Sequence, residues 1–166
     1  MKARCLSNLQ LDFVGARVEA ELALQFNPQL APARISVAVA DCHLGDLEQG
    51  LETLRPLVEA CSRGPHRHNE GRELAVCLLM AGRDQEAADV MRRNTADSPH
   101  LTWNQLIFAA TLVLIGESTA AQRLIADLLS EFPTLSVKTM RPIPTGDTAT
   151  VERFSAALVQ AGLPED

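Results

Sequence analysis

The sequence is poor in aromatic residues and has no tyrosine. Aromatic residues make up 4% of the chain, whereas hydrophobic residues make up 46%. Ala and Leu dominate the apolar set, and because both lose little entropy in a helix, the composition favours helices over sheets. With 166 residues, the chain is long enough for one domain with a buried core.

Positive charge and long apolar runs are scarce too. The net charge is −6, and the two lysines and thirteen arginines form no basic cluster. Phosphate backbones repel an acidic chain, so we expect no nucleic-acid partner. The longest largely apolar stretch, Leu106 to Ile115, is about half of the roughly twenty residues that a membrane span needs, so we expect no membrane partner. We expect a cytoplasmic protein whose four cysteines stay reduced.

Motifs for catalysis and cofactor binding are also missing. The sequence has neither the Gly-x-Ser-x-Gly turn of serine hydrolases nor a glycine-rich phosphate loop. Cys61, His66, His68 and Glu70 could in principle bind zinc, but their spacing matches no structural zinc pattern. A polar inserted loop is the better interpretation. The sequence therefore predicts no enzyme activity, no catalytic residue, no metal and no cofactor.

What the sequence does contain is an internal repeat. Gly82 and Gly116 are 34 residues apart, and Gly45 precedes Gly82 by 37. A three-residue insertion in the loop 62–67 accounts for the difference. Glycine readily adopts the left-handed conformation that ends a helix, so each glycine predicts the corner of a helical hairpin. The residues expected to cap the helix after each corner are Asp46, Asp84 and Ser118.

Small residues mark the places where the two helices of a hairpin approach each other. Ala38, Ala75 and Ala109 lie in the middle of the first helices. Their counterparts in the second helices are Ala16, Gly50, Ala87 and Ala121. Such residues let helix axes approach to about 8–10 Å. The apolar periodicity predicts helices at 6–26, 31–44, 47–62, 68–81, 84–95, 102–115, 118–131 and 149–161.

Central small residues, corner glycines and the prolines after the second helices together resemble the tetratricopeptide repeat (TPR) family over 13–133. The resemblance implies an all-α fold, a right-handed superhelix of antiparallel helix pairs with a C-terminal capping helix. We expect a single domain, 1–166. Its parts are a half repeat at 6–30, repeats at 31–67, 68–101 and 102–135, a connector at 136–148 and the capping helix at 149–163. Asp41 departs from the family pattern, which has an apolar residue there.

The C-terminal segment carries a second, narrower resemblance. A connector rich in Pro and hydrophobic residues leads to a short amphipathic helix and to the ending Ala-Gly-Leu-Pro-Glu at 161–165. This arrangement resembles the C-termini of bacterial proteins that join a TPR region to an upstream class III adenylate/guanylate cyclase or winged-helix regulator. The resemblance implies a regulatory module of a signalling protein and transfers no catalytic residue. The apolar stripe from Val151 to Ala161 predicts that this helix caps the last repeat.

In the TPR architecture, the first helices of the repeats line a concave groove. The residues expected to line it here are Ile35, Val39, Cys42, Arg72, Val76, Leu79, Trp103, Leu106 and Val113. A mostly apolar groove with one Arg and one Trp suits a protein partner that presents an amphipathic helix or an extended apolar segment.

Several of these residues also fit a core that lies under the C-terminal segment or the N-terminal helix. An upstream domain or a second copy of the chain could fill the groove as well. The main functional hypothesis is a module for protein–protein interaction, and self-association as a homodimer is the alternative. A metal-dependent or hydrolytic enzyme is the least favoured reading.

Overall fold

The computed structural model describes residues 12–61, 67–140, 143 and 145–166. Across these ranges the chain forms eight helices and no strand. In chain order they are α1 (Phe13–Phe26), α2 (Ala31–Leu44), α3 (Leu47–Ala60), α4 (Arg67–Met80), α5 (Asp84–Asp97), α6 (Thr102–Leu114), α7 (Ser118–Glu131) and α8 (Thr148–Gln160).

Seven of these helices form a stack of hairpins. The pairs α2 and α3, α4 and α5, and α6 and α7 each pack together, and α1 packs on α2 as the second helix of a half repeat. Successive hairpins join because α3 packs on α4 and α5 packs on α6, while α2, α4 and α6 contact one another in series. The predicted all-α solenoid of helix pairs is confirmed. Helix ends agree with the sequence prediction to within two residues, except that the predicted start of the first helix, 6–11, lies outside the described residues.

Glycine forms the corners of the hairpins, as predicted. Gly45 has a φ of 112° and Gly116 a φ of 84°, both in the left-handed region. Each lets the chain reverse so that the next amide can reach back to the helix it has left. The amide of Asp46 donates to the carbonyl of Asp41 at 3.0 Å, and that of Glu117 to Leu112 at 2.8 Å. These bonds satisfy carbonyls that a helix end otherwise leaves unpaired.

The predicted helix caps are wrong in detail. Asp46 occupies the cap position of α3 but its side chain makes no cap hydrogen bond, and Asp84 and Ser118 are the first residues of their helices. Side-chain caps occur instead at α1 and α8, neither of which follows a glycine corner. Asp12 accepts from the amide of Gly15 at 2.8 Å, and Asp147 accepts from the amide of Thr150 at 3.0 Å. The carboxylate of Asp84 is thereby free for a tertiary contact.

Candidate functional site

The residues predicted to line the groove lie on α2, α4 and α6, whose shared side we call the first-helix face. Seven of the nine are buried, namely Ile35, Val39, Cys42, Val76, Leu79, Leu106 and Val113. Arg72 and Trp103 are partly exposed. The face is therefore largely closed in this conformation, and the contacts of the C-terminal segment explain part of that closure.

Helix α8 packs against α6 in the third repeat. Phe154 and Leu158 of α8 are buried to 1% and 0% exposure. The ring of Phe154 lies 6.2 Å from that of Trp103, centroid to centroid, with the planes tilted by 59°. A tilted pair at this separation is a favourable aromatic arrangement. The apolar stripe recognised in the sequence is thus the side of α8 that meets the first-helix face.

A charged contact fixes α8 to the second repeat. Arg153 Nη1 lies 2.9 Å from both carboxylate oxygens of Asp84, and its Nη2 donates to the backbone carbonyl of Leu79. Asp84 is the first residue of α5, and Leu79 lies in the last turn of α4. A single guanidinium therefore satisfies the end of one helix and neutralises the carboxylate at the start of the next. Sequence periodicity gave no signal for Arg153, because its partner is 69 residues away.

The segment before α8 reaches the first repeat. Ile143 and Thr145 are buried, and Thr145 Oγ1 lies 3.5 Å from Nδ1 of His43 near the end of α2. The His43 ring stacks on Phe13 of α1, with centroids 3.8 Å apart and planes within 10°. Burial lowers the pKa of His43 from 6.5 to about 4, so its ring is neutral at pH 7.

The two ends of the C-terminal segment, 136–166, are joined to each other. The amide of Val137 donates to the carbonyl of Pro164 at 2.8 Å, and that of Lys138 to Glu165 at 3.1 Å. The segment thus leaves the third repeat, contacts the first repeat at His43, and returns along α8. In doing so it contacts the first helices of all three repeats. The first-helix face thus binds a helix through buried apolar side chains and one ion pair.

Arg72 is hydrogen-bonded through its terminal nitrogens, whereas its Nε is buried without a hydrogen-bond partner among the described residues. Arg72 donates to Asn69 Oδ1 at 3.1 Å and to Glu73 Oε1 at 2.9 Å. Cys42 and Cys77 are buried on the neighbouring helices α2 and α4. A hydrogen bond with Cys42, together with burial, raises the pKa of the Cys77 thiol well above its usual value. A protonated, buried thiol is a poor nucleophile, which fits a packing role for this pair.

A cleft of about 350 Å³ lies between α3, α4 and α5. Its lining includes the apolar residues Leu74 and Val90 and three arginines, Arg55, Arg67 and Arg93. Two of these are neutralised, since Arg55 pairs with Glu86 and Arg67 pairs with Asp97. The cleft therefore offers little free positive charge to an anionic ligand.

Metal ligands do not come together in the part of the chain that the structure describes: no three His, Cys, Asp or Glu side chains are grouped there. Of the four zinc candidates weighed in the sequence, His66 lies outside the described residues. Within those same ranges, none of the helices has both the length and the apolar character needed to cross a membrane.

Comparison with known proteins supports the fold. No protein-family model matches this chain, and no curated protein matches it. Among solved structures, the crystal structure of MamA matches with a TM-score of 0.61 at 15% sequence identity, over 92% of this chain and 88% of that one. MamA is a TPR-like helical repeat protein. Because the identity is only 15%, the match shows the fold alone, which is a TPR-like helical repeat architecture.

Proposed function

We propose that this protein is a protein–protein interaction module whose first-helix face binds a helical segment of a partner. The observation that carries the proposal is the position of α8, which lies on that face and buries Phe154 and Leu158. A surface that accepts one amphipathic helix has the shape and polarity to accept another. The TPR-like architecture, which exposes rows of parallel helices for such contacts, supports the same reading.

The contacts of α8 indicate what a partner helix would present. It would carry an aromatic side chain for the place beside Trp103 and a basic residue for the carboxylate of Asp84. Because the C-terminal segment already occupies this position, a partner must displace it or bind when it is released. Binding is then weakened by the fraction of molecules in which the segment stays in place.

A peptide of residues 145–166 tests whether the face is a helix-binding site. Phe154→Ala in the full chain loosens α8, and added peptide should then raise the melting temperature of the variant as it fills the vacated position. The wild-type protein should show little change, because its own segment competes. Arg153→Ala provides a milder variant if Phe154→Ala reduces helicity, and a scrambled peptide is the control. A folded variant that the peptide fails to stabilise contradicts the proposal.

We further propose that the module is the regulatory C-terminal part of a bacterial signalling protein and acts in the cytoplasm without catalysis of its own. The support is the resemblance of the connector, the short helix and the ending at 161–165 to proteins with an upstream cyclase or winged-helix domain. The reading frame upstream of Met1 tests it. An in-frame cyclase or winged-helix domain supports the proposal, and a stop codon directly upstream contradicts it.

Self-association is the second candidate function. The observation in its favour is a row of exposed apolar side chains on α1, at the opposite end of the chain from α8.

A further inference from the structure

Helix α1 exposes an uninterrupted row of large apolar side chains. Val14 is 60% exposed, Val18 50%, Leu22 45% and Phe26 90%. The four residues are spaced four apart, so they follow one ridge along the whole helix. Exposed apolar residues are ordinary when scattered, whereas a contiguous row on one helix marks an interaction surface.

The same register positions in the complete repeats are exposed but polar. Counted from the small residue at the middle of each second helix, the equivalents of the row are Glu48, Glu52, Pro56 and Ala60 on α3, Gln85, Asp89, Arg93 and Asp97 on α5, and Thr119, Arg123, Asp127 and Glu131 on α7. Ten of these twelve carry polar or charged side chains, and all twelve are exposed. Neighbouring repeats therefore do not cover this side of a second helix, and a further repeat before α1 would leave the row open as well.

Charge narrows the kind of partner. The row itself is uncharged, and the nearby guanidinium of Arg17 is held by Glu21 at 2.9 Å and by Asp41 at 2.9 Å. Helix α1, Phe13–Phe26, contains no other basic residue, so the helix itself offers no unpaired cation to an anionic lipid surface. The surface fits an uncharged apolar ridge of similar length.

We propose that this ridge is supplied by a second copy of the chain, with α1 packed antiparallel on α1 about a two-fold axis. The side chains increase in size along the helix, from Val14 to Phe26. Antiparallel pairing sets Val14 against Phe26 of the partner subunit and Val18 against Leu22 of the partner subunit, so large residues meet small ones. Ridges spaced by four residues favour a crossing of about −50°, with Val18 and Leu22 at its centre.

The available area sets the strength of this contact. The row exposes on the order of 400 Å² of apolar surface, about half of the roughly 800 Å² that each partner contributes to a standard stable interface. The dimer is therefore weak, and its dissociation constant lies in the micromolar range or above. The inference rests on the second candidate function, self-association, and specifies its surface and geometry. It is independent of the first-helix face, so it can fail without affecting the proposed binding of a partner helix there.

Sedimentation velocity from about 10 µM to about 1 mM tests the proposal. The wild-type protein should move from the monomer mass toward twice that mass as concentration rises. Leu22→Glu buries a charge in the contact and should weaken the dimer by at least about tenfold. Val18→Glu is a second variant of the same kind. The matched control is Arg93→Glu, which places the same side chain at the equivalent register position of α5.

Circular dichroism of each variant establishes that it is folded. The inference is supported if the wild type and Arg93→Glu dimerise and the two α1 variants remain monomeric. A wild-type protein that stays monomeric throughout overturns it, and so does a Leu22→Glu variant that dimerises like the wild type. Growth beyond the dimer also overturns it, because a two-fold contact closes on itself.

Discussion

Arg153 and Asp84 form an ion pair in which one guanidinium nitrogen, Nη1, lies 2.9 Å from each of the two carboxylate oxygens. The pair joins α8 to the second repeat, although α8 follows the third repeat in sequence. Its other nitrogen, Nη2, donates to the carbonyl of Leu79. This one side chain therefore ties the C-terminal helix to the joint between α4 and α5.

Arg153→Ala should loosen α8 while leaving the repeats intact. A charge-assisted contact of this kind contributes about 1.5–3 kcal/mol, so amide protection in α8 should fall by roughly tenfold or more. Hydrogen exchange measures this directly. Arg123→Ala, an exposed arginine on α7, is the control and should leave α8 unchanged. Equal protection of α8 in Arg153→Ala and the wild type would mean that the ion pair does not hold the helix.

A double-mutant cycle with Asp84→Ala separates the pair from the other contacts of each residue. Asp84 also stabilises the N-terminus of α5 by its negative charge, so its single replacement has a cost of its own. The two replacements should be non-additive by about 0.5–3 kcal/mol. Additive losses would show that the residues do not act together.

Phe154→Ala should be among the most destabilising single changes on α8. The side chain is 1% exposed, and removing a buried Phe costs about 3–5 kcal/mol. Trp103→Ala should cost less, because Trp103 is partly exposed. Urea unfolding monitored by circular dichroism compares the two. Val159→Ala, at a residue of the same helix that is 38% exposed, is the control and should cost under about 1 kcal/mol. A larger loss for Trp103→Ala than for Phe154→Ala would be the opposite of this expectation.

Gly50→Ala should destabilise the protein, even though the equivalent residue of every other repeat is alanine. A Cβ at position 50 would lie 2.8 Å from the carbonyl oxygen of Ala38 and 2.5 Å from Sγ of Cys42. The overlap costs about 1–3 kcal/mol, which outweighs the gain of up to about 1 kcal/mol in helix propensity. Thermal unfolding gives the sign of the change. A higher melting temperature would show that α2 and α3 can separate at no cost.

Lowering the pH should reduce the free energy of unfolding, because the unfolded chain protonates at His43 more readily than the folded chain. Burial lowers the folded-state pKa to about 4, below its ordinary 6.5, so the unfolded chain binds the proton more readily. Above pH 6.5 the free energy of unfolding is not reduced by His43. As the pH falls from 6.5 toward 4, it decreases by up to about 3 kcal/mol.

His43→Phe keeps an aromatic ring on Phe13 and removes this proton site. Between pH 6.5 and 4, the unfolding free energy of the variant should fall less steeply than that of the wild type. His100→Gln, at an exposed position, is the control and should follow the wild type. Parallel pH profiles for His43→Phe and the wild type would rule out His43 as the source.

Local signals in the sequence were sufficient for the repeats. The glycines at 45, 82 and 116 predicted the corners, and their positive φ angles confirm it. The small residues at 38, 75 and 109 predicted close approach of the helices, and all three are fully buried. The cap prediction failed at Asp84 and Ser118 because the residue directly after each glycine, Arg83 or Glu117, takes the cap position, so the predicted residue is the first of its helix.

The candidate site was only partly predictable. Apolar periodicity placed Val39, Val76 and Leu106 on one side of their helices, where we expected them to line a groove, and the structure buries all three. The same periodicity identified the apolar stripe on α8. Periodicity could not predict that these two surfaces pack together. It shows which side of a helix is apolar, and it does not show which element covers that side. The use of these residues by a partner stays a prediction.

The sequence by itself determined that the chain is a set of helical hairpins, where each hairpin turns, and which side of each helix is apolar. These are consequences of backbone conformation and of spacing along one helix, both of which are local. Only the tertiary structure decided that the C-terminal segment contacts the first helices of all three repeats, that Arg153 pairs with Asp84, and that the described residues leave the apolar row on α1 exposed. Those outcomes depend on contacts between residues dozens of positions apart, where packing geometry selects one pairing among many that the pattern allows.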